Sequence, residues 1–229
     1  MNLLALDTAT EACSVSLGVG DHSIHRYLEL DRGHAEQLLP MVDSVLAEGG
    51  ISLNSLTAIA FGRGPGGFTG VRLAASVAQG LAFGAGVGVI PVSNLAAVAQ
   101  LAFEFIAQAQ QVLVANDARM REVYWATFNR GQLPLPVPML VGVEAVSPAS
   151  EVLIPQGGDA WVAAGRGLAA WPELAERCRR AGATLHPELL PRASEVLAIA
   201  RVMAAAGQIV DPAEALPVYV RDRVAEAAR

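Results

Sequence analysis

Two short segments of this chain share one plan. Leu3-Leu4-Ala5-Leu6-Asp7 is an apolar run closed by an aspartate, and Val112-Leu113-Val114-Ala115-Asn116-Asp117 repeats it at a constant offset. Each is followed by a candidate return strand, Cys13 to Val19 in the first case and Val123 to Ala126 in the second. A chain that restarts with strand, aspartate turn and strand reads as a duplicated fold. The boundary falls near residue 108, giving an N-terminal unit of residues 1–108 and a less regular C-terminal unit of residues 109–229.

The first unit can be read element by element. Cys13, Val15, Leu17 and Val19 alternate with Ser14, Ser16 and Gly18, the period of a half-buried strand, with Thr8 to Glu11 as the hairpin connection. A third strand covers Ser23 to Leu30. From His34 the period changes to that of a helix, through Ala35, Leu38, Leu39, Val42, Val45 and Leu46, and Gly49-Gly50 ends it. Thr57 to Phe61 reads as a buried strand. Thr69 is placed to cap a helix running to Phe83, Val87 to Val92 is a strand, and Ser93 is placed to cap the next helix. Three strands followed by alternating helices and strands predict an α/β fold with a mixed sheet, antiparallel at its start and right-handed in its crossovers. In the second unit, Gly131 to Pro138 and Ser147 to Gly158 read as loops, Arg166 to Arg180 and Ser194 to Ala206 as helices, and Leu216 to Val220 as a strand.

Composition removes whole classes of chemistry. All 16 basic residues are arginine, so a Walker lysine, a kinase strand lysine and a Schiff-base lysine are excluded. Cys13 and Cys178 are the two cysteines, too few for a thiolate zinc site or a disulfide framework, and they suit a reducing cytoplasm. The net charge of −6 argues against a broad basic face that grips nucleic acid unaided. Between Arg72 and Glu104 no residue carries formal charge, but Ser76, Gln79, Gly80, Gly84, Gly86, Gly88, Pro91, Ser93 and Asn94 interrupt the stretch. It falls short of a membrane span, and the chain reads as soluble.

Three features carry candidate chemistry. Gly64, Gly66, Gly67, Thr69 and Gly70 lie between a strand and a helix start. Such a loop either converges backbone N–H groups on a phosphate or other anion or makes a tight connection. Asp7 and Asp117 each end a strand, as a carboxylate beside a magnesium nucleotide would, or as an Asx turn does. His22, His25, His34 and His186 form no H-x-x-x-H pair, so no metal site is expected. The helix 34–46 is apolar on more than one stripe, with Met41 and Val45 beside Leu38 and Val42. The helix 71–83 bears no charge after Arg72. Helices of that kind are covered on both sides, by the fold or by a partner.

Four blocks of the chain together resemble the bacterial TsaB (YeaZ) family: Leu3 to Val15, His34-Ala35-Glu36-Gln37-Leu38-Leu39-Pro40-Met41, Gly64 to Arg72, and Asp117-Ala118-Arg119-Met120-Arg121-Glu122-Val123-Tyr124-Trp125. The closing Pro217-Val218-Tyr219-Val220-Arg221 fits as well. The resemblance implies the duplicated ribonuclease-H-like fold of the actin, sugar-kinase and heat-shock-chaperone superfamily. It implies a cytoplasmic, non-catalytic partner of the TsaD transferase in forming N6-threonylcarbamoyladenosine beside the tRNA anticodon, with the ATPase TsaE as a third subunit and tRNA contacted through the complex. TsaD-like proteins carry a metal-binding H-x-x-x-H where this chain has Asn94 and Val98. The implied partner interface comprises His34, Leu38, Met41, Val42, Val45, Leu73, Val77 and Leu81, and the same patch serves a homodimer when the chain is alone. The chain would have no cofactor of its own, with ATP or ADP possible at the partner junction. The competing reading is an ATP-dependent small-molecule phosphotransferase of the same superfamily, using Asp7 and the Gly64 to Gly70 loop.

Overall fold

The structure is a computed structural model, and it describes residues 1–132, 137–155 and 161–220. The first half runs β1 (Asn2–Asp7), β2 (Ala12–Val19), β3 (His22–Glu29), α1 (His34–Gly49), β4 (Ala58–Gly62), α2 (Phe68–Ala85), β5 (Gly88–Val92) and α3 (Asn94–Phe105). The second half runs β6 (Gln111–Asp117), β7 (Glu122–Asn129), β8 (Met139–Pro148), β9 (Trp161–Ala164), α4 (Gly167–Ala170), α5 (Pro172–Arg180), β10 (Thr184–His186) and α6 (Ala193–Ala205).

The two sheets have one topology. Their strand orders are β3-β2-β1-β4-β5 and β8-β7-β6-β9-β10, with β1 and β6 in matching central places. In each, the first three strands pair antiparallel and the last two join in parallel. The repeated apolar run seen in the sequence is therefore the central strand of each of two mixed ribonuclease-H-like sheets.

One face of the first sheet packs Leu4, Leu6, Val15, Leu17, Ile59 and Phe61 against Leu38, Met41, Val42 and Val45 of α1 and Ala74, Ala75, Ala78 and Ala82 of α2. The other face packs Leu3, Ala5, Ala58, Ala60 and Ile90 against Val196, Leu197, Ile199 and Ala200 of α6. Helix α3 lies on the second sheet through Leu95, Val98, Leu101 and Ala102, while α4 and α5 cover its far side through Leu168, Leu174 and Cys178. Elements also pack across the boundary near residue 108. Helix α6 returns to the first sheet, α3 serves the second, and Val210 bridges to Val89 on the β5 edge.

Other expectations are corrected too. Strand β2 is buried on both faces rather than half-buried, because α6 covers the serine face, where Ser14 Oγ accepts the N–H of Ala193 at 2.9 Å. Helix α2 begins at Phe68 with Gly67 as its N-cap and no side-chain cap, so Thr69 lies inside the helix. The helix expected over Arg166 to Arg180 is broken at Trp171-Pro172. Residues Leu216 to Val220 form no strand, and Arg221 lies outside the described residues. Strand β8 ends inside the stretch read as a loop from Ser147, and the remainder of that loop reaches residues 156–158, outside the described residues. Residues 133–136 of the loop Gly131 to Pro138 also lie outside them. Ser93 caps α3 as expected, accepting the N–H of Ala96 at 3.1 Å. No helix among the described residues is long and apolar enough to cross a membrane.

Candidate ligand crevice and partner face

In open α/β sheets, ligands settle beyond the carboxyl ends of the parallel strands. In the first sheet those ends are Asp7 of β1, Gly62-Arg63 after β4 and Ser93-Asn94 after β5. Asp7 is fully buried. Its Oδ1 accepts the N–H of Ala9 at 3.2 Å, and its Oδ2 accepts from Asn94 Nδ2. Asn94 is also fully buried, and its Oδ1 accepts the N–H of Gly64 at 2.7 Å. Burial pushes the Asp7 carboxyl up to about 7, against the opposing pull of the Ala9 and Asn94 hydrogen bonds. Gly62 is required here, because a methyl group would overlap Asp7 Oδ2 and the Asn94 amide.

The glycine-rich loop is closed in the same way. A methyl on Gly70 would overlap the Thr8 carbonyl oxygen, and one on Gly66 would meet that of Ala9. Thr8 Oγ1 donates to the Gly70 carbonyl at 2.7 Å, and Gly67 N–H donates to the Ala9 carbonyl at 2.7 Å. Of the two readings left open by the sequence, this geometry favours the tight connection. The loop's small residues admit the β1–β2 turn, and the N–H groups of Gly64 and Gly67 are already taken by Asn94 and Ala9. Thr69 is exposed on the first turn of α2.

Glu144 of β8 reaches this crevice from the second sheet. Arg63 Nη2 pairs with Glu144 Oε2 at 3.0 Å, and Ser93 Oγ donates to Glu144 Oε1. A second connection between the halves is made by Arg166, whose guanidinium lies 3.1 Å from Glu11 and 3.4 Å from Glu29. Glu144 has no role assigned from the sequence; the signal for its strand is the alternation of Val141, Val143 and Ala145 with Gly142 and Glu144.

Asp117 makes an Asx turn, accepting the N–H of Arg119 at 3.2 Å, and engages no residue of the Asp7 network. Among the described residues, no group of three or more His, Cys, Asp and Glu is arranged to hold a metal ion. Val98, one turn beyond Asn94, is fully buried.

The expected interface divides by burial. Leu38, Met41, Val42 and Val45 belong to the chain's own core, so they are corrected from surface contacts to core residues: the first sheet covers the stripe that a partner was expected to cover. His34 is partly buried, with Nε2 at 2.9 Å from the Thr10 carbonyl oxygen. Leu73, Val77 and Leu81 are half-buried at the margin of the same core. The outward faces present Leu39 of α1, and Phe68, Ser76, Gly80, Phe83 and Gly84 of α2, all exposed.

Two ribonuclease-H-like sheets in tandem, with the crevice of the first filled by the chain's own Asp7, Asn94 and Glu144, define a member of the actin, sugar-kinase and heat-shock-chaperone class. The TsaD family, tRNA N6-adenosine threonylcarbamoyltransferase, matches residues 28–229. The tRNA threonylcarbamoyladenosine biosynthesis protein TsaB of Haemophilus influenzae is 40% identical over 98% of this chain and 95% of its own length. That of Escherichia coli K12 is 42% identical over 98% and 96%. The solved structure of YeaZ from Pseudomonas aeruginosa superposes with a TM-score of 0.88 at 45% identity, covering 95% of this chain and 99% of that one. The chain belongs to the TsaB family.

Proposed function

We propose that this chain is a non-catalytic subunit that docks a TsaD-type transferase and so supports formation of N6-threonylcarbamoyladenosine in tRNA, in the cytoplasm. The observation that carries the docking part is the outward face of α2. Ser76 is exposed, and a methyl added at Gly80 or Gly84 would meet nothing within 4 Å. Three small residues at four-residue spacing thus form an open stripe, flanked by Leu73, Val77 and Leu81 and continued by Phe83. Such a stripe lets a second helix approach at the short end of the roughly 8–10 Å range of helix packing. Leu39 on α1 extends the apolar surface, and this face replaces the buried Leu38, Met41, Val42 and Val45 as the contact set. The same face serves a homodimer when the transferase is absent, and TsaE joins through the assembled pair.

The filled crevice supports the non-catalytic part. Asp7 has both oxygens engaged and is sealed from solvent, so it offers no open position beside a nucleotide. The names of the relatives support the pathway. The test is reconstitution: a TsaD-type transferase, TsaE, tRNA, ATP and threonylcarbamoyl-adenylate, with and without this chain, with modified adenosine followed by mass spectrometry. Modification that requires the chain is expected. Equal modification without it overturns the reading.

A further inference from the structure

Arg72 is the one charged residue in the 18 residues of α2, and it is held in an unusual setting. Its guanidinium carbon lies 3.2 Å from the centre of the Phe68 ring, one turn earlier on the same helix, and 4.9 Å from the centre of the Tyr219 ring. The two rings are 6.4 Å apart and inclined by 34°. Phe68 and Tyr219 are 59% and 47% exposed, so the clamp stands at the surface. Its hydrogen bonding is poor: Nη1 reaches the Phe68 carbonyl oxygen at 3.5 Å, the outer limit for such a bond. Among the described residues no carboxylate pairs with it, whereas Arg63, Arg166, Arg179 and Arg180 each have one.

Tyr219 is brought there by an anchored strap. Val210 bridges to Val89, Gln79 Nε2 donates to the Pro212 carbonyl at 2.9 Å, and Ala215 is buried in the α1–α2 core. Val218 N–H then donates to the Arg63 carbonyl at 2.8 Å. The strap holds one ring of the clamp and α2 itself holds the other. A planar guanidinium stacked in this way is preorganised, and among the described residues its N–H groups meet the Phe68 carbonyl oxygen alone.

Resting on the docking reading above, we infer that Arg72 is a specificity-determining contact of the α2 face, and that it receives an Asp or Glu carboxylate from the facing helix of the partner protein. Three observations select that ligand. The cation lies one residue from Leu73, at the end of the apolar stripe, where an unmatched charge would oppose docking and a matched one directs it. The fork geometry of a stacked arginine suits a bidentate carboxylate. The chain's net charge of −6 opposes the approach of a polyanion such as RNA. Arginine and tyrosine are also enriched among the few residues that dominate binding energy at protein interfaces.

The test uses the full-length chain and a purified TsaD-type transferase, without tRNA, in isothermal titration calorimetry. Arg72→Ala is expected to weaken binding about 30-fold, and Arg72→Lys about 10-fold, since lysine keeps the charge but loses the stacked fork. Raising salt weakens the wild type more than the alanine variant. Melting temperatures of the free variants are compared first. If alanine unfolds the chain, the lysine variant decides. Binding unchanged within twofold in the folded variants overturns the inference while leaving the docking reading standing. A loss that appears only when tRNA is added assigns the contact to phosphate and also overturns it. No binding by the wild type removes both.

Discussion

Asn94, at the start of α3, donates its side-chain amide to the Asp7 carboxylate at the end of β1, and both residues are completely buried. The crevice of the first sheet is thereby closed by a hydrogen bond between the end of β1 and the start of α3. Replacing Asn94 by alanine leaves the buried carboxyl and the Gly64 N–H without their partner. The expected cost is about 2–4 kcal/mol in urea unfolding. Carboxyl carbon NMR should place the Asp7 midpoint near 7 in the wild type and higher in Asn94→Ala, because a hydrogen bond that favours the charged form is gone. An ordinary carboxylate midpoint in the wild type would show that the crevice admits water.

Glu195 on α6 is 4% exposed, with Oε2 unpartnered, and burial pushes its carboxyl up to about 7. For a group raised in the folded state, its contribution to stability is fully present below the ordinary value near 4.5 and is lost as pH rises through 7. Asp7 acts in the same direction. Stability is therefore expected to fall between about pH 5 and pH 8. Glu195→Gln should flatten part of that slope and gain on the order of 2 kcal/mol at pH 8. Urea midpoints across the pH series measure this, and an unchanged slope in the variant contradicts it.

Gly70 and Gly80 lie in one helix and should answer oppositely to alanine. At Gly70 the added methyl overlaps the Thr8 carbonyl oxygen, whereas at Gly80 it meets open space. Gly70→Ala is expected to destabilise by about 3 kcal/mol or more through backbone displacement. Gly80→Ala should stabilise the free chain by up to about 1 kcal/mol from helix propensity. Thermal unfolding of both variants tests the packing account of the glycine-rich loop.

Glu144 joins the sheets through Arg63 and Ser93. Glu144→Ala leaves the Arg63 guanidinium, largely buried at 22% side-chain exposure, without its counter-ion. We expect a loss of about 2–3 kcal/mol, with faster amide exchange at Arg63 and along β8. The double variant with Arg63→Ala should cost less than the sum of the two single changes.

The sequence was most legible where local pattern and tertiary role coincide. The runs ending at Asp7 and Asp117 are apolar because a central strand is buried on both faces, and their repetition exposes the duplication. Ser93 caps α3 through chemistry local to four residues. Elsewhere the deciding partner lies far along the chain. A glycine whose neighbour is a phosphate and one whose neighbour is the Thr8 carbonyl look alike in sequence, since both need the missing Cβ. The width of the apolar surface on α1 shows that something covers Leu38 and Val42, but not that the first sheet does. Strand β8 is hard to read because Pro134, Pro136 and Pro138 dominate the sequence before it, and because its pairing with β7 shifts register between Trp125 and Thr127. Helix α6 was recognised as a helix, yet nothing within it announces that it serves the first sheet.

If the chain acts through the outward face of α2, blocking that face with Gly80→Arg should stop tRNA modification in the reconstituted system. Position 80 is exposed and open, so the variant should fold with a melting temperature no lower than that of the wild type. Modification is expected to fall to the level seen without the chain. A folded Gly80→Arg variant that supports the full wild-type rate would contradict a role for that face.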